Sequence, residues 1–179
     1  MRGSYIFLLV VGTIAASGVW GVSARAADRS PGVLLAHFDP ELMAELNRAI
    51  EERPGDVAAY LQRGLAFNHL EQYEHALADF NKVIRIEPNH VDAYNYRGAM
   101  HYRLGNLMAA LADFNRAIAL DPDFAVVYFN RGYVRRDSGD VPGAIADFEH
   151  GAALAEQQGD PNTAAQARAI AVELQQPGL

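Results

Sequence analysis

Between residues 57 and 158 apolar residues return every three or four positions, with polar ones on the opposite side of the same turns. That spacing marks one buried face of an α-helix. A longer rhythm lies over it. Val57-Ala-Ala-Tyr-Leu-Gln-Arg-Gly64 returns as Val91-Asp-Ala-Tyr-Asn-Tyr-Arg-Gly98 and again as Ala125-Val-Val-Tyr-Phe-Asn-Arg-Gly132, each 34 residues on. Ala76-Leu-Ala-Asp-Phe80 keeps the same interval to Ala110-Leu-Ala-Asp-Phe114 and Ala144-Ile-Ala-Asp-Phe148. A fixed period of this length predicts stacked helical hairpins in place of one globular core. In the middle copy Asp92 to Leu104 reads as the first helix, Gly105-Asn106 as the turn, Met108 to Leu120 as the second helix and Asp121-Pro122 as the stop.

The recurring residues also predict the packing. Gly64, Gly98 and Gly132 sit in mid-helix, where glycine costs about 0.5–1 kcal/mol relative to alanine. Close approach of two helices opposite Ala76, Ala110 and Ala144 explains the repetition. Tyr60, Tyr94 and Tyr128 with Phe80, Phe114 and Phe148 then fill the space between hairpins, each buried phenylalanine contributing about 1.5–3 kcal/mol. Arg63, Arg97 and Arg131 recur together with Asp79, Asp113 and Asp147. They read as an ion pair in every repeat, within or between hairpins; the alternative is an anion-binding row of arginines.

The flanks differ. Asp39-Pro40-Glu41 has the residues of a helix start, and Leu42, Met43, Leu46, Ala49 and Ile50 follow at helical spacing until Pro54-Gly55, so 39–55 is expected to be an N-terminal capping helix, the second half of a degenerate repeat. At the other end Asp160-Pro161 opens a C-terminal capping helix over 160–176, with Ala164, Ala167, Ile170, Ala171 and Leu174 on one face. Arg2, the apolar run Tyr5 to Val11 and the small residues of Ala24-Arg-Ala26 describe a cleavable signal peptide over 1–26. Residues 27–38 read as a tether; the alternative is that Val33 to Phe38 occupies a groove as an internal pseudo-ligand.

Export changes the meaning of the composition. The chain has no cysteine, so stability comes from packing without disulfides. Loss of Arg2 and Arg25 leaves 13 basic against 22 acidic residues, a net charge of −9. That balance speaks against nucleic acid and against an anionic membrane surface as partners, since both reward basic patches. His37, His69, His75, His90, His101 and His150 include no pair at metal-binding helical spacing, and the glycines follow the repeat and form no phosphate loop. No catalytic constellation, metal site or cofactor is expected.

The 34-residue pattern, with its small residue in the first helix, alanine opening the second, an aromatic after it and closing prolines Pro88 and Pro122, resembles the tetratricopeptide repeat family. The resemblance implies an all-α fold, a right-handed α-solenoid of helical hairpins over 57–90, 91–124 and 125–158. Two departures stand out. Where the family favours an aromatic late in the first helix the three repeats carry Phe67, His101 and Arg135, which predicts looser packing near Arg135. Glu156 replaces the third proline, so the last repeat helix is expected to run on toward Gln158 and break at Gly159. In the family the first helices line a concave groove for a peptide, and the matching residues here are Leu61, Leu65, Asn95, Ala99, Tyr102, Arg103, Phe129, Tyr133 and Arg136. Their steps of three and four put them on one stripe of each helix. The places of the family's carboxylate clamp carry Leu61, Leu65, Tyr96, Val126 and Asn130, which argues against that clamp. The resemblance implies a non-enzymatic adaptor or assembly factor for a protein or peptide, and the expected signal peptide places it in the periplasm. Self-association into a homo-oligomer, and a groove for glycan or cell-wall peptide, are the alternatives.

Overall fold

The structure is a computed structural model and describes residues 40–176. The expected signal peptide, tether and Asp39 cap lie outside the described residues. Within them there are eight helices and no strand: α1 (Pro40–Glu52), α2 (Val57–His69), α3 (Tyr73–Ile86), α4 (Val91–Arg103), α5 (Leu107–Leu120), α6 (Ala125–Asp137), α7 (Val141–Gln157) and α8 (Pro161–Gln175). The pairs α2/α3, α4/α5 and α6/α7 form hairpins. Each hairpin stacks on the next through its second helix, α3 on α4 and α5 on α6, with α1 against α2 at one end and α8 against α7 at the other. This is a helical-repeat solenoid, in which each unit buries its apolar face only against its neighbours.

Helix boundaries follow local chemistry. Asp56, Asp140 and Asp160 cap α2, α7 and α8 by accepting hydrogen bonds from the amides of Ala59, Gly143 and Thr163, each at 3.0 Å. At the same register as Asp56, His90 caps α4 through Nδ1, which accepts from the Ala93 amide at 3.3 Å and starts that helix one residue earlier than its sequence suggests. The hairpin turns need a left-handed residue. Gly105 (φ 77°) and Gly139 (φ 87°) supply it without cost, whereas the first turn places Glu71 there at φ 57°. Without a closing proline α7 reaches Gln157 before Gly159, at φ 83°, ends it.

Phe80, Phe114 and Phe148 are fully buried, and each ring lies against the mid-helix glycine of its own hairpin. A Cβ at Gly64 would stand 2.7 Å from Phe80, at Gly98 2.8 Å from Phe114 and at Gly132 3.2 Å from Phe148. The missing side chains are the room the rings occupy.

The arginine–aspartate pairs lie within hairpins and reach between them as well. Arg63 binds Asp79 with two hydrogen bonds of 2.8 and 2.6 Å, Arg97 binds Asp113 at 2.9 and 2.6 Å, and Arg131 binds Asp147 at 2.9 and 2.7 Å. The third guanidinium nitrogen donates to Asn47, Asn81 and Asn115 respectively, on the second helix of the preceding unit, at 2.8, 2.7 and 2.7 Å. All three guanidiniums also lie over a tyrosine of their own helix, Tyr60, Tyr94 and Tyr128. The arginines are thus consumed as inter-repeat rungs and form no open anion row. Hydrogen bonding to Asp79 and to Asp113 holds the Arg63 and Arg97 guanidiniums protonated more firmly than usual, against the opposing effect of burial.

Packing at Arg135 is not loose. The guanidinium stands 2.9 Å from Asp147 and 3.5 Å from Asp140, and donates to the Gly143 carbonyl at 3.3 Å, so an ion pair fills the place of an aromatic ring. In the first repeat Phe67 fills that place by stacking on His75. In the second, His101 keeps Nε2 4.0 Å from Asp113 while its buried Nδ1 makes no hydrogen bond among the described residues.

Candidate functional site

Helices α2, α4 and α6 present the stripe read from the sequence, and the structure divides it. Leu61 and Leu65 of α2 and Tyr96 and Tyr102 of α4 are partly exposed, resting on the core formed around Phe80, Met100 and Phe114. Tyr133 of α6 is partly exposed and meets the edge of Phe148 at a centroid distance of 5.0 Å. Arg136 lies over the Tyr133 ring at 5.1 Å, and Arg103 over Tyr73 of α3 at 5.9 Å. Ala99 is buried at the foot of the stripe.

Phe129 does not belong to an open stripe. It is 7 % exposed, and its ring occupies the space beside Gly151 of α7, where a Cβ would come within 2.5 Å of it. The register explains this. The first-helix series Leu61, Asn95, Phe129 runs alongside the second-helix series Val83, Ala117, Gly151, so the largest inner side chain is matched by the one position without a side chain. Phe129 is a core residue of the α6–α8 end, grouped with Ala152, Ala155 and Ala164. The glycine interrupting the Val83, Ala117 series was the sequence signal for it.

Two side-chain bridges join α4 to α6 across this face. Asn130 Nδ2 donates to Asn95 Oδ1 at 2.8 Å, and the Tyr102 hydroxyl donates to Asp137 Oδ2 at 2.5 Å. Arg136 Nε donates to the other oxygen of Asp137 at 2.8 Å. Burial, with the hydrogen bond to Asp137 and its negative charge adding, pushes the Tyr102 phenol well above its ordinary range. Burial likewise raises Tyr133 and Tyr96. Asn130 was noted from the sequence at a place of the family's carboxylate clamp and not as part of the stripe, and Asp137 was not singled out; neither recurs in all three repeats, so the period gives no reason to notice them. A stripe of aliphatic and aromatic surface around a few fixed amides and one carboxylate can bind and orient a chain. Among the described residues no group of three or more histidines and acids is placed to hold a metal ion, and no helix is long and apolar enough to cross a membrane.

Comparison with known proteins agrees with the fold. The tetratricopeptide repeat model matches residues 57–90 and 91–124. No curated protein matches the sequence. Among solved structures, the crystal structure of MamA superposes with a TM-score of 0.64 at 20 % identity, covering 87 % of this chain and 96 % of that one. The first repeat domain of Spaghetti (RPAP3), bound to the HSP90 peptide SRMEEVD, gives 0.58 at 20 % identity over 65 % and 90 % of the two chains. The TPR2B domain of yeast Sti1, in a complex with pHsp70, gives 0.60 at 18 % identity over 65 % and 96 %.

Proposed function

We propose that this chain, in which the tetratricopeptide repeat model matches residues 57–90 and 91–124, is a non-enzymatic interaction module, an adaptor or assembly factor, that holds a segment of a partner protein along α2, α4 and α6. The observation that carries this reading is the contrast within one register-locked scaffold. The aromatics at 80, 114 and 148 are fully buried, whereas Leu61, Leu65, Tyr96, Tyr102 and Tyr133 on three neighbouring first helices remain partly open to solvent. Aromatic and aliphatic side chains with a few fixed polar groups are the composition of interface centres. Two structural neighbours are complexes, one with an HSP90 peptide and one with pHsp70, which supports the same use of the fold.

The test is capture of partners from the envelope fraction of the source organism, with the wild-type protein and with Tyr102→Ala/Tyr133→Ala, after circular dichroism has shown that the double variant is folded. The variant should lose the captured partner. Equal capture by both proteins overturns the assignment of the face. Light scattering tests self-association: a mass that rises with concentration and is lost in the same double variant would replace the adaptor reading with an oligomer. Export is part of the proposal and rests on Arg2, the apolar run from Tyr5 to Val11 and Ala24-Arg-Ala26. N-terminal sequencing of the periplasmic protein should begin at Ala27; a chain that begins at Met1 in the cytoplasm overturns it.

A further inference from the structure

Among the described residues the array begins and ends half-way through a hairpin. Asn47 of α1 accepts a hydrogen bond from Arg63 as Asn81 and Asn115 accept from Arg97 and Arg131, so α1 stands where a second helix stands. The sequence 34 residues ahead of α2 has Pro31-Gly32 against Leu65-Ala66 in the middle of α2, a pair that opposes a first helix there. At the other end α8 stands where a first helix stands. Ala164 and Ala171, seven residues apart, are fully buried in the core they share with Ala152 and Ala155 of α7. Val127 and Val134 of α6 are buried at the same spacing in the core they share with α5.

Each end therefore shows the face that an interior hairpin closes. Aligned on those buried pairs, α8 sets Arg168, Ala169 and Val172 at the places of Arg131, Gly132 and Arg135. All three are exposed, Val172 at 53 %. Arg168 reaches back to Glu156 of α7, whereas Arg131 also binds Asp147 of the helix that follows it. In α1, Leu42, Glu45 and Leu46 hold the places of Ala76, Asp79 and Phe80, 34 residues on. Leu46 is buried, but Leu42 is only half-buried where Ala76 is fully buried. Asp79 is 3 % exposed beneath Arg63, while Glu45 is exposed and makes no ion pair among the described residues. The outer face of an end helix is ordinarily polar; α8 shows Ala165, Ala169 and Val172 there instead.

The two ends complement each other in charge and in volume. Arg168 and Glu45 are the open halves of the rung that Arg131 and Asp147 complete inside the array. Where an interior hairpin sets glycine against phenylalanine, the ends offer alanine against leucine, a larger residue on the first helix met by a smaller one on the second. We propose that a second copy of this chain covers each end, α8 of one copy packing on α1 of the next as the two helices of a shared hairpin, with Arg168 paired to Glu45. The contact joins two different surfaces, so it propagates from copy to copy and does not stop at a dimer. Tyr102 and Tyr133 take no part in it. An assembled row carries one partner-binding face per copy and binds a partner with several equivalent segments by avidity.

Light scattering and sedimentation of the purified protein test the contact. The mass should rise with concentration and pass that of two copies without a plateau. Arg168→Glu and Glu45→Arg each set like charges against each other, and both residues are exposed, so each variant should keep the wild-type circular dichroism and associate about tenfold more weakly. Mixing the two variants restores opposite charges at every junction and should restore assembly. Tyr102→Ala/Tyr133→Ala should assemble as the wild type does, so this contact and the partner-binding face fail separately. A monomer at every concentration, a mass that stops at two copies, charge variants that assemble unchanged, or a mixture that stays as weak as its components each overturns the proposal. Association that begins only when residues 27–38 are deleted assigns the α1 face to that segment and overturns the second copy as its occupant.

Discussion

Alanine at the three mid-helix glycines sets helix propensity against packing, and the distances decide the balance. The substitution relieves a conformational cost of about 0.5–1 kcal/mol. Against that, the new Cβ at Gly64 meets Phe80 at 2.7 and 2.9 Å, and at Gly98 it meets Phe114 at 2.8 Å. Carbon atoms rest at about 3.5–4.0 Å. Both rings are fully buried, so neither can swing into solvent, and forced overpacking of this kind costs about 1–3 kcal/mol. Gly64→Ala and Gly98→Ala should therefore destabilise by a net of about 1–2 kcal/mol. At Gly132 the nearest atom of Phe148 is 3.2 Å away; a shift of a few tenths of an ångström suffices, and the two effects should nearly cancel. Gly151→Ala should be the harshest of the series, because its Cβ would meet Phe129 at 2.5 Å and the Ala125 carbonyl at 3.2 Å, and backbone does not yield. Urea unfolding followed by circular dichroism, compared at a common slope, measures the series. A Gly64→Ala protein more stable than wild type, or a Gly132→Ala protein as damaged as Gly151→Ala, would refute the reasoning.

The ladder of arginines makes a further comparison. Arg97→Ala leaves Asp113 buried with only His101 at 4.0 Å and should cost about 3–5 kcal/mol, whereas Arg131→Ala leaves Asp147 paired with Arg135 at 2.9 Å and should cost clearly less; equal losses in urea midpoint would show that the second arginine compensates nothing. Glu71→Gly removes a left-handed conformation that costs a side-chain-bearing residue about 1–2 kcal/mol, so the melting temperature should rise, and a fall would mean that the Glu71 side chain contributes more than its backbone strain costs. The phenols of Tyr96, Tyr102 and Tyr133 bind their protons more tightly in the folded protein, through burial first and, at Tyr102, Asp137 next. Their contribution to stability is complete below pH of about 10 and is lost as pH rises beyond it. The urea midpoint should therefore fall above that pH, and fall less steeply in Tyr102→Phe; parallel slopes would exclude Tyr102 as a source of the alkaline loss.

The 34-residue period alone determined the hairpins and the pairing of Arg97 with Asp113, because each of these is a local relation that recurs in register; it set the mid-helix glycines opposite Ala76, Ala110 and Ala144, whereas the structure sets them against Phe80, Phe114 and Phe148 of the same hairpins. The candidate face came from the family resemblance, which picked out Leu61, Leu65, Tyr102, Tyr133 and Arg136 on the first helices, and helical spacing put them on one stripe of each helix. What the tertiary structure decided lies where one repeat departs from another. Phe129 left the open stripe because Gly151 makes room for it, and Arg135 found Asp147 where an aromatic was missing. Asn81 became the third partner of Arg97 because the second helix of one hairpin lies against the first helix of the next. Asn95 and Asn130 are 35 residues apart in the chain and 2.8 Å apart across the face. Periodicity states which residues occupy equivalent places; whether an individual side chain is buried, bridged or open depends on the volume and polarity that the neighbouring hairpin sets against it.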